Sequence, residues 1–184
     1  MGESMNFDKL LGRRVLICGE VGVGKTRLLT SFLSFLVERG LKDEVTVIDL
    51  APEYGGVGRS MESYYPMVRE LRYLRPSRVY PPRLLGRDTH EVLHYAEMNL
   101  IEARRLLEDY ARRFTRILLI NDLTIYLHVG DPDDILHLFD LCETFAATAY
   151  EGASLEDDKG SGVTIRERHG LLRIKEYMDF IINL

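Results

Sequence analysis

The sequence has no tryptophan, two cysteines and six prolines in 184 residues. Cys18 and Cys142 cannot supply the disulfide framework of a small secreted domain. No apolar run approaches the roughly 20 residues that a membrane-spanning helix requires; runs such as 117–120 are far shorter. The opening MGESMNFDKLLGRR lacks the apolar segment of a secretion signal. No period of 20–50 residues repeats, which excludes a solenoid. Lysine is scarce, with five against nineteen arginines. What remains is globular composition, 46% apolar and 29% charged, expected to form one cytoplasmic domain over residues 1–184 with a core of normal size and no membrane segment.

The net charge of −5 argues against bulk nucleic-acid binding, but the charge is unevenly spread. Residues 69–87 carry six arginines (69, 72, 75, 78, 83 and 87) and one acid, Glu70. Residues 131–158 carry nine acids and no Lys or Arg. Two readings of the arginines compete. Ion-pair networks of the kind used in heat-stable proteins would consume them, or their forks would grip phosphate or carboxylate on an anionic ligand.

Hydrophobic periodicity gives alternating strands and helices. Strands are expected at 14–18, 45–50, 117–120, 144–150 and 178–184. Helices are expected at 25–39, with Gly40 as its stop, at 89–114 behind an Asp88 or Thr89 cap, from Asp131-Pro132 onward, and at 165–176. Shorter helices are expected near 61–72. The first ten residues look like a loose tail. Residues 51–88 form an irregular Arg/Pro-rich insertion, and 151–163 a flexible acidic loop. Alternation of this kind implies right-handed crossovers and an α/β fold of three layers, α/β/α, around a mostly parallel five-stranded sheet. That sheet should bury Ile17, Ile48, Leu119 and Ile181. Ligands of such sheets sit beyond the carboxyl ends of the strands, where Gly19, Asp49 and Asp122 fall.

One of those ends carries the strongest signal. Gly19-Glu20-Val21-Gly22-Val23-Gly24-Lys25-Thr26 fits G-x-x-x-x-G-K-[ST] at every fixed position, between an apolar strand and an amphipathic helix. Glycines let the backbone curl its N–H groups toward phosphate oxygens, and the helix N-terminus adds unsatisfied donors. Lys25 would meet the β- and γ-phosphates, Thr26 would bind Mg²⁺, and Arg27 completes the candidate nucleotide-binding stretch 19–27.

The chain thus resembles the P-loop NTPases, which implies binding of ATP or GTP with Mg²⁺. Three departures narrow the branch. Ile120-Asn121-Asp122-Leu123 lacks the glutamate that follows the Walker B aspartate in motors and recombinases. Glu20 stands where partition ATPases carry lysine. Ala147-Thr148-Ala149-Tyr150 replaces the guanine-reading N-K-x-D, which favours ATP over GTP. The segment VTVIDLAPEYGGVG is similar to the second-strand region of polynucleotide 5′-hydroxyl kinases, and the likeness implies a kinase-like branch in which Asp49 acts on the attacking hydroxyl.

Catalytic roles therefore fall to Lys25, Asp49 and Asp122. Asp122 would orient Mg²⁺ through water, together with Thr26, and Asp49 would position or deprotonate the attacking hydroxyl or water. Either aspartate also suits a plain turn. Arg59, Arg78, Arg83 and Arg87 are candidates for a second-substrate anion site, with a solvated basic surface as the alternative. His90-Glu91-Val92-Leu93-His94 matches the zinc motif H-E-x-x-H, but helical geometry turns both rings away from the Val92–Ala96–Leu100 stripe, toward solvent. His128 is read as a packing residue, and Arg166-Glu167-Arg168 as a solvated helix face. The functional expectation is Mg²⁺-dependent hydrolysis or phosphoryl transfer. Its alternative is a sensor that binds nucleotide with little turnover and regulates a protein or nucleic-acid partner.

Overall fold

A computed structural model describes residues 5–184, and Met1 to Ser4 lie outside the described residues. In chain order the strands are β1 (Arg14–Gly19), β2 (Val45–Asp49), β3 (Arg72–Leu74), β4 (Ile117–Asn121), β5 (Thr144–Tyr150) and β6 (Phe180–Asn183). The helices are α1 (Lys25–Glu38), α2 (Pro82–Leu85), α3 (Thr89–Arg112), α4 (Thr124–Leu127), α5 (Pro132–Leu138) and α6 (Val163–Lys175).

Alternation along the central strands decides the architecture. Leu16, Cys18, Ile48, Leu118, Ile120, Phe145 and Ala147 project into one apolar layer. Val15, Ile17, Val45, Val47, Ile117, Leu119 and Ala146 project into the other. A sheet apolar on both faces must be covered on both. Leu29, Phe32, Leu33 and Leu36 of α1 cover the second face. Leu107 and Tyr110 of α3, Tyr126 of α4, Ile135 of α5 and Ile174 of α6 cover the first.

The sheet has six strands in the order β3-β2-β4-β5-β1-β6, and every pairing is parallel. The expected count of five is corrected by β3, a three-residue edge strand hidden among prolines. Arg72 fixes it from outside the sheet, donating to the Asp109 carbonyl at 2.8 Å and to the Asp109 carboxylate at 2.9 Å. At the other edge, Ile181 is 41% exposed instead of buried, because β6 has a neighbour on one side alone.

Helix boundaries follow their caps. Gly24 at φ +102° precedes α1, and Gly40 at φ +75° follows it. The Asp88 carboxylate accepts from the Glu91 N–H ahead of α3, and the Asp131 carboxylate accepts from the Asp133 N–H with Pro132 in the first turn of α5. The short helices expected near 61–72 are two 3₁₀ turns, Met61–Ser63 and Pro66–Glu70. Phe114, the last residue of the helix expected at 89–114, lies beyond α3 and is 56% exposed.

The described part of the first ten residues is not a loose tail. Phe7–Leu10 forms a 3₁₀ turn capped by the Asn6 side chain, and the Phe7 ring packs 5.6 Å from Phe32 and 5.7 Å from Phe35. Leu10 is buried in the α1 layer. Leu10→Ala should therefore cost about 2–5 kcal/mol in urea denaturation, where a free tail would cost nothing.

Candidate functional site

Three strands deliver the site. β1 ends in the glycine loop, β4 ends in Asn121-Asp122, and β5 lies between them, bringing Thr148 and Tyr150 alongside. Gly22 and Gly24 have φ of +80° and +102°, a conformation that side chains disfavour. Gly19 is required for space: a Cβ there would lie 2.6 Å from the Leu184 carbonyl oxygen at the end of the last strand. The Lys25 ammonium folds back over the loop, donating to the carbonyls of Gly19 at 2.9 Å and Glu20 at 2.5 Å. Burial lowers its pKa, against the charges of Asp122 and Glu20.

Glu20 has a position of its own. Its carboxylate accepts from the backbone N–H groups of Val21 at 2.8 Å, Ala153 at 2.9 Å and Ser154 at 3.1 Å, and from the Ser154 hydroxyl. A Cβ on Gly152 would come within 2.2 Å of the carboxylate, so the approach needs glycine. The Ser154 hydroxyl first, then the backbone donors, bring Glu20 down to about 2. The acidic loop at 151–163 is thereby pinned to the glycine loop at one end, and at the other by Asp158, which accepts from the Thr164 N–H at 3.1 Å.

Behind the loop lies a buried polar hub. Asn121 Oδ1 accepts from the hydroxyls of Thr26 at 3.1 Å and Thr148 at 2.9 Å. Its Nδ2 donates to Asp49 at 2.9 Å and to the Arg59 carbonyl at 3.0 Å. Asp49 has no exposed surface. Besides Asn121 it accepts from the Ala51 N–H at 3.2 Å, the Met61 N–H at 2.7 Å and the Tyr73 hydroxyl at 2.7 Å. The role expected for Asp49 on an attacking hydroxyl is corrected by this arrangement: both oxygens are committed, and no substrate reaches them. Asp49 organises the turn that follows β2.

Asp122 is the carboxylate that remains at the cleft floor. It holds φ +59°, its N–H donates to Thr148 Oγ1 at 2.8 Å, and its Oδ1 accepts from Thr124 Oγ1 at 2.9 Å. Burial pushes its pKa up, opposed by the Thr124 hydrogen bond and by the charges of Lys25 and His128.

The cleft encloses about 360 Å³ and is lined by Lys25, Thr26 and Asp122 together with Arg27, Arg59, Tyr64, Arg83, His128 and Tyr150. Two of the four arginines expected in a second-substrate site are thus present, Arg59 and Arg83. Arg83 is consumed, however. It grips buried Glu167 at 3.1 and 2.9 Å, and its guanidinium lies 5.3 Å over the Tyr150 ring. Arg87 is tied to Glu91 on the outside of α3, and Arg78 lies 4.6 Å over Tyr80; neither lines the cleft. The same pairing runs through the basic stretch, joining Arg69 to Glu62, Arg72 to Asp109 and Arg75 to Glu53. Ion pairing, not a shared anion site, accounts for most of it.

Sequence reasoning missed Asn121, Thr148 and Tyr64, and it misplaced Glu167. Asn121 and Thr148 are polar breaks in apolar runs at strand ends, a signal present in the sequence. Glu167 is 3% exposed, not part of a solvated face. It accepts from Arg83 and pairs with His128 Nε2 at 2.9 Å. Burial opposes its charge, but His128 and Arg83 together hold its pKa below the ordinary value. His128 is buried, and its Nδ1 has no hydrogen-bond partner. His90 and His94 are exposed on α3, and among the described residues no three His, Cys, Asp or Glu side chains converge as a metal-binding group.

No family model matches this chain, and no curated protein does. Among solved structures, the crystal structure of Pif1 helicase from Candida albicans matches with a TM-score of 0.40 and 15% identity, over 100% of this chain and 40% of the helicase chain. The chain therefore spans less than half the length of that protein, and at this score the likeness carries no functional argument. Among the described residues, no helix is long and apolar enough to cross a membrane.

Two outcomes check the geometry. Asp49→Ala removes the acceptor of four donors, three of them buried, and should destabilise the fold by about 3–5 kcal/mol, whereas Tyr73→Phe, which removes one of them, should cost about 1 kcal/mol; chemical denaturation measures both. The Glu20 latch has a depressed carboxylate pKa, so its stabilisation is complete above about pH 4.5 and is lost as the pH falls toward about 2. The difference in Tm between wild type and Glu20→Gln should accordingly be constant from pH 7 to 5 and shrink below that.

Proposed function

We propose that this chain is a P-loop NTPase domain that binds ATP with Mg²⁺ and hydrolyses it or transfers its terminal phosphoryl group. The observation that carries this reading is the loop from Gly19 to Thr26, set between β1 and α1 with its lysine over a cleft that also holds Thr26 and Asp122. Backbone N–H groups at the start of α1 would meet the phosphates. Lys25, now bonded to two loop carbonyls, would exchange them for phosphate oxygens.

The donor set fits Mg²⁺. Thr26 offers a hydroxyl and Asp122 a carboxylate oxygen that Thr124 leaves free, both hard oxygen donors. A cation there would also offset the burial that disfavours the Asp122 charge. Bound Mg²⁺ would supply charge neutralisation at the β- and γ-phosphates. Asn121, a neutral amide, fixes the Thr26 hydroxyl without adding charge, which leaves Asp122 as the acid that orients water or an acceptor at the reacting end. ATP is favoured over GTP because Ala147-Thr148-Ala149-Tyr150 at the end of β5 lacks the guanine-reading tetrapeptide.

ATP with Mg²⁺ should raise the Tm of wild type by several degrees at about 100 times Kd, equivalent to about 2.7 kcal/mol. Lys25→Ala should abolish that shift and the release of phosphate. Asp122→Asn should retain nucleotide binding without Mg²⁺ and lose its Mg²⁺ dependence and turnover. A wild-type protein that no nucleotide stabilises, with or without Mg²⁺, would overturn the reading.

A further inference from the structure

Most arginines of this chain engage a carboxylate. Among the described residues Arg14, Arg27, Arg59, Arg78, Arg113 and Arg166 do not. Of these, Arg27 and Arg59 alone line the cleft, and they meet there on one ring: their guanidinium carbons lie 5.7 and 5.9 Å from the centre of Tyr64. Two like charges gathered on one aromatic ring attract the quadrupole but repel each other.

The nearby carboxylates are committed elsewhere. Glu53 accepts from Ser60 and Arg75, Glu62 pairs with Arg69, and Asp49 belongs to the buried hub. The cleft lining contains one acid, Asp122, beside Lys25. Positive charge at its mouth is therefore in excess of what the protein itself neutralises.

The backbone that presents Arg59 is held firmly. Its carbonyl accepts from Asn121 at 3.0 Å, and two residues later the Met61 N–H donates to Asp49 at 2.7 Å. The same Asn121 fixes Thr26 from the other side. Arg59 and the phosphate loop are thus set relative to each other by one side chain, the preorganisation that a two-ligand site needs.

We infer that Arg27, Arg59 and Tyr64 form a second oxyanion subsite at the mouth of the cleft, which takes the phosphate group of a small phosphorylated second substrate while the triphosphate occupies the loop at Lys25. Both guanidinium groups lie within cation–π reach of Tyr64, and that contact spends none of their N–H donors, which stay available to fork around phosphate oxygens. A substrate anchored there presents its remaining end toward Asp122 and the transferable phosphoryl group. Arg27 in this arrangement serves the second ligand, not the nucleotide. The inference deepens the NTPase reading and rests on it for the identity of the first ligand.

The test uses calorimetric titration of the full chain with inorganic phosphate and with phenyl phosphate. In one arm the loop is filled with a non-hydrolysable ATP analogue and Mg²⁺; in the other, Lys25→Ala is titrated without nucleotide. Each arm should show one saturable equivalent of phosphate. Arg59→Ala should weaken it at least tenfold in both, and the Kd of the ATP analogue should move less than threefold. If the analogue fails to bind wild type while Arg59-dependent phosphate binding persists in the second arm, the NTPase reading fails and the subsite stands. Phosphate binding that is absent, or indifferent to Arg59→Ala, overturns the subsite. A single-stranded oligonucleotide that binds with a steep salt dependence and loses affinity in Arg59→Ala, when neither small phosphate binds, would overturn the small-substrate assignment in favour of a nucleic-acid strand.

Discussion

The geometry of the cleft depends on the buried pair Asp49–Asn121. These side chains end adjacent strands at the same level of the sheet, and between them they accept hydrogen bonds from α1, β5, the 3₁₀ turn after residue 60 and the β3 tyrosine and donate one to the Arg59 carbonyl. A buried polar network of this kind is stabilising when every member is satisfied and costly when one is removed. Here each donor and acceptor of the pair has a partner, so the loops at the carboxyl edge of the sheet are fixed where loops are ordinarily free. The apolar layers account for the sheet; this polar cluster accounts for the positions of the groups around the cleft.

The distribution of arginine follows a related logic. A guanidinium near a carboxylate spends its directional donors on that partner, and a buried pair such as Arg83–Glu167 satisfies both ions at once. Arginines paired in this way shape walls. Those left without a carboxylate keep their donors for something else. The segmental charge of the sequence cannot separate the two groups, because partners such as Asp109 for Arg72 and Glu167 for Arg83 are distant in the chain.

The sequence made the glycine loop, the five longer strands and the capped helices legible, because each has a local cause: periodicity, a glycine with positive φ, or a cap. It did not reveal β3, whose three residues carry no periodicity, or the short α2 and α4. The fate of Asp49 was also illegible. An aspartate at the end of an apolar strand looks the same whether solvent or four protein donors await it, and the donors from Met61, Tyr73 and Asn121 come together only in the fold. Glu167 shows the same limit in reverse, since two flanking arginines made it look exposed while its burial is set by Arg83 and His128.

The contact between Glu20 and the amides of Ala153 and Ser154, beside the hydrogen bond from the Glu151 N–H to the Gly19 carbonyl at 3.0 Å, joins two segments: the loop that would receive phosphate, and the acidic stretch that leads into α6. A coupling between two such segments is reciprocal. If ligation of the phosphate loop changes how strongly Glu20 holds those amides, then whatever engages the acidic stretch must change the affinity of the phosphate loop by the same factor. One carboxylate and one glycine that admits it are enough to make occupancy of the cleft readable along the stretch that leads into α6.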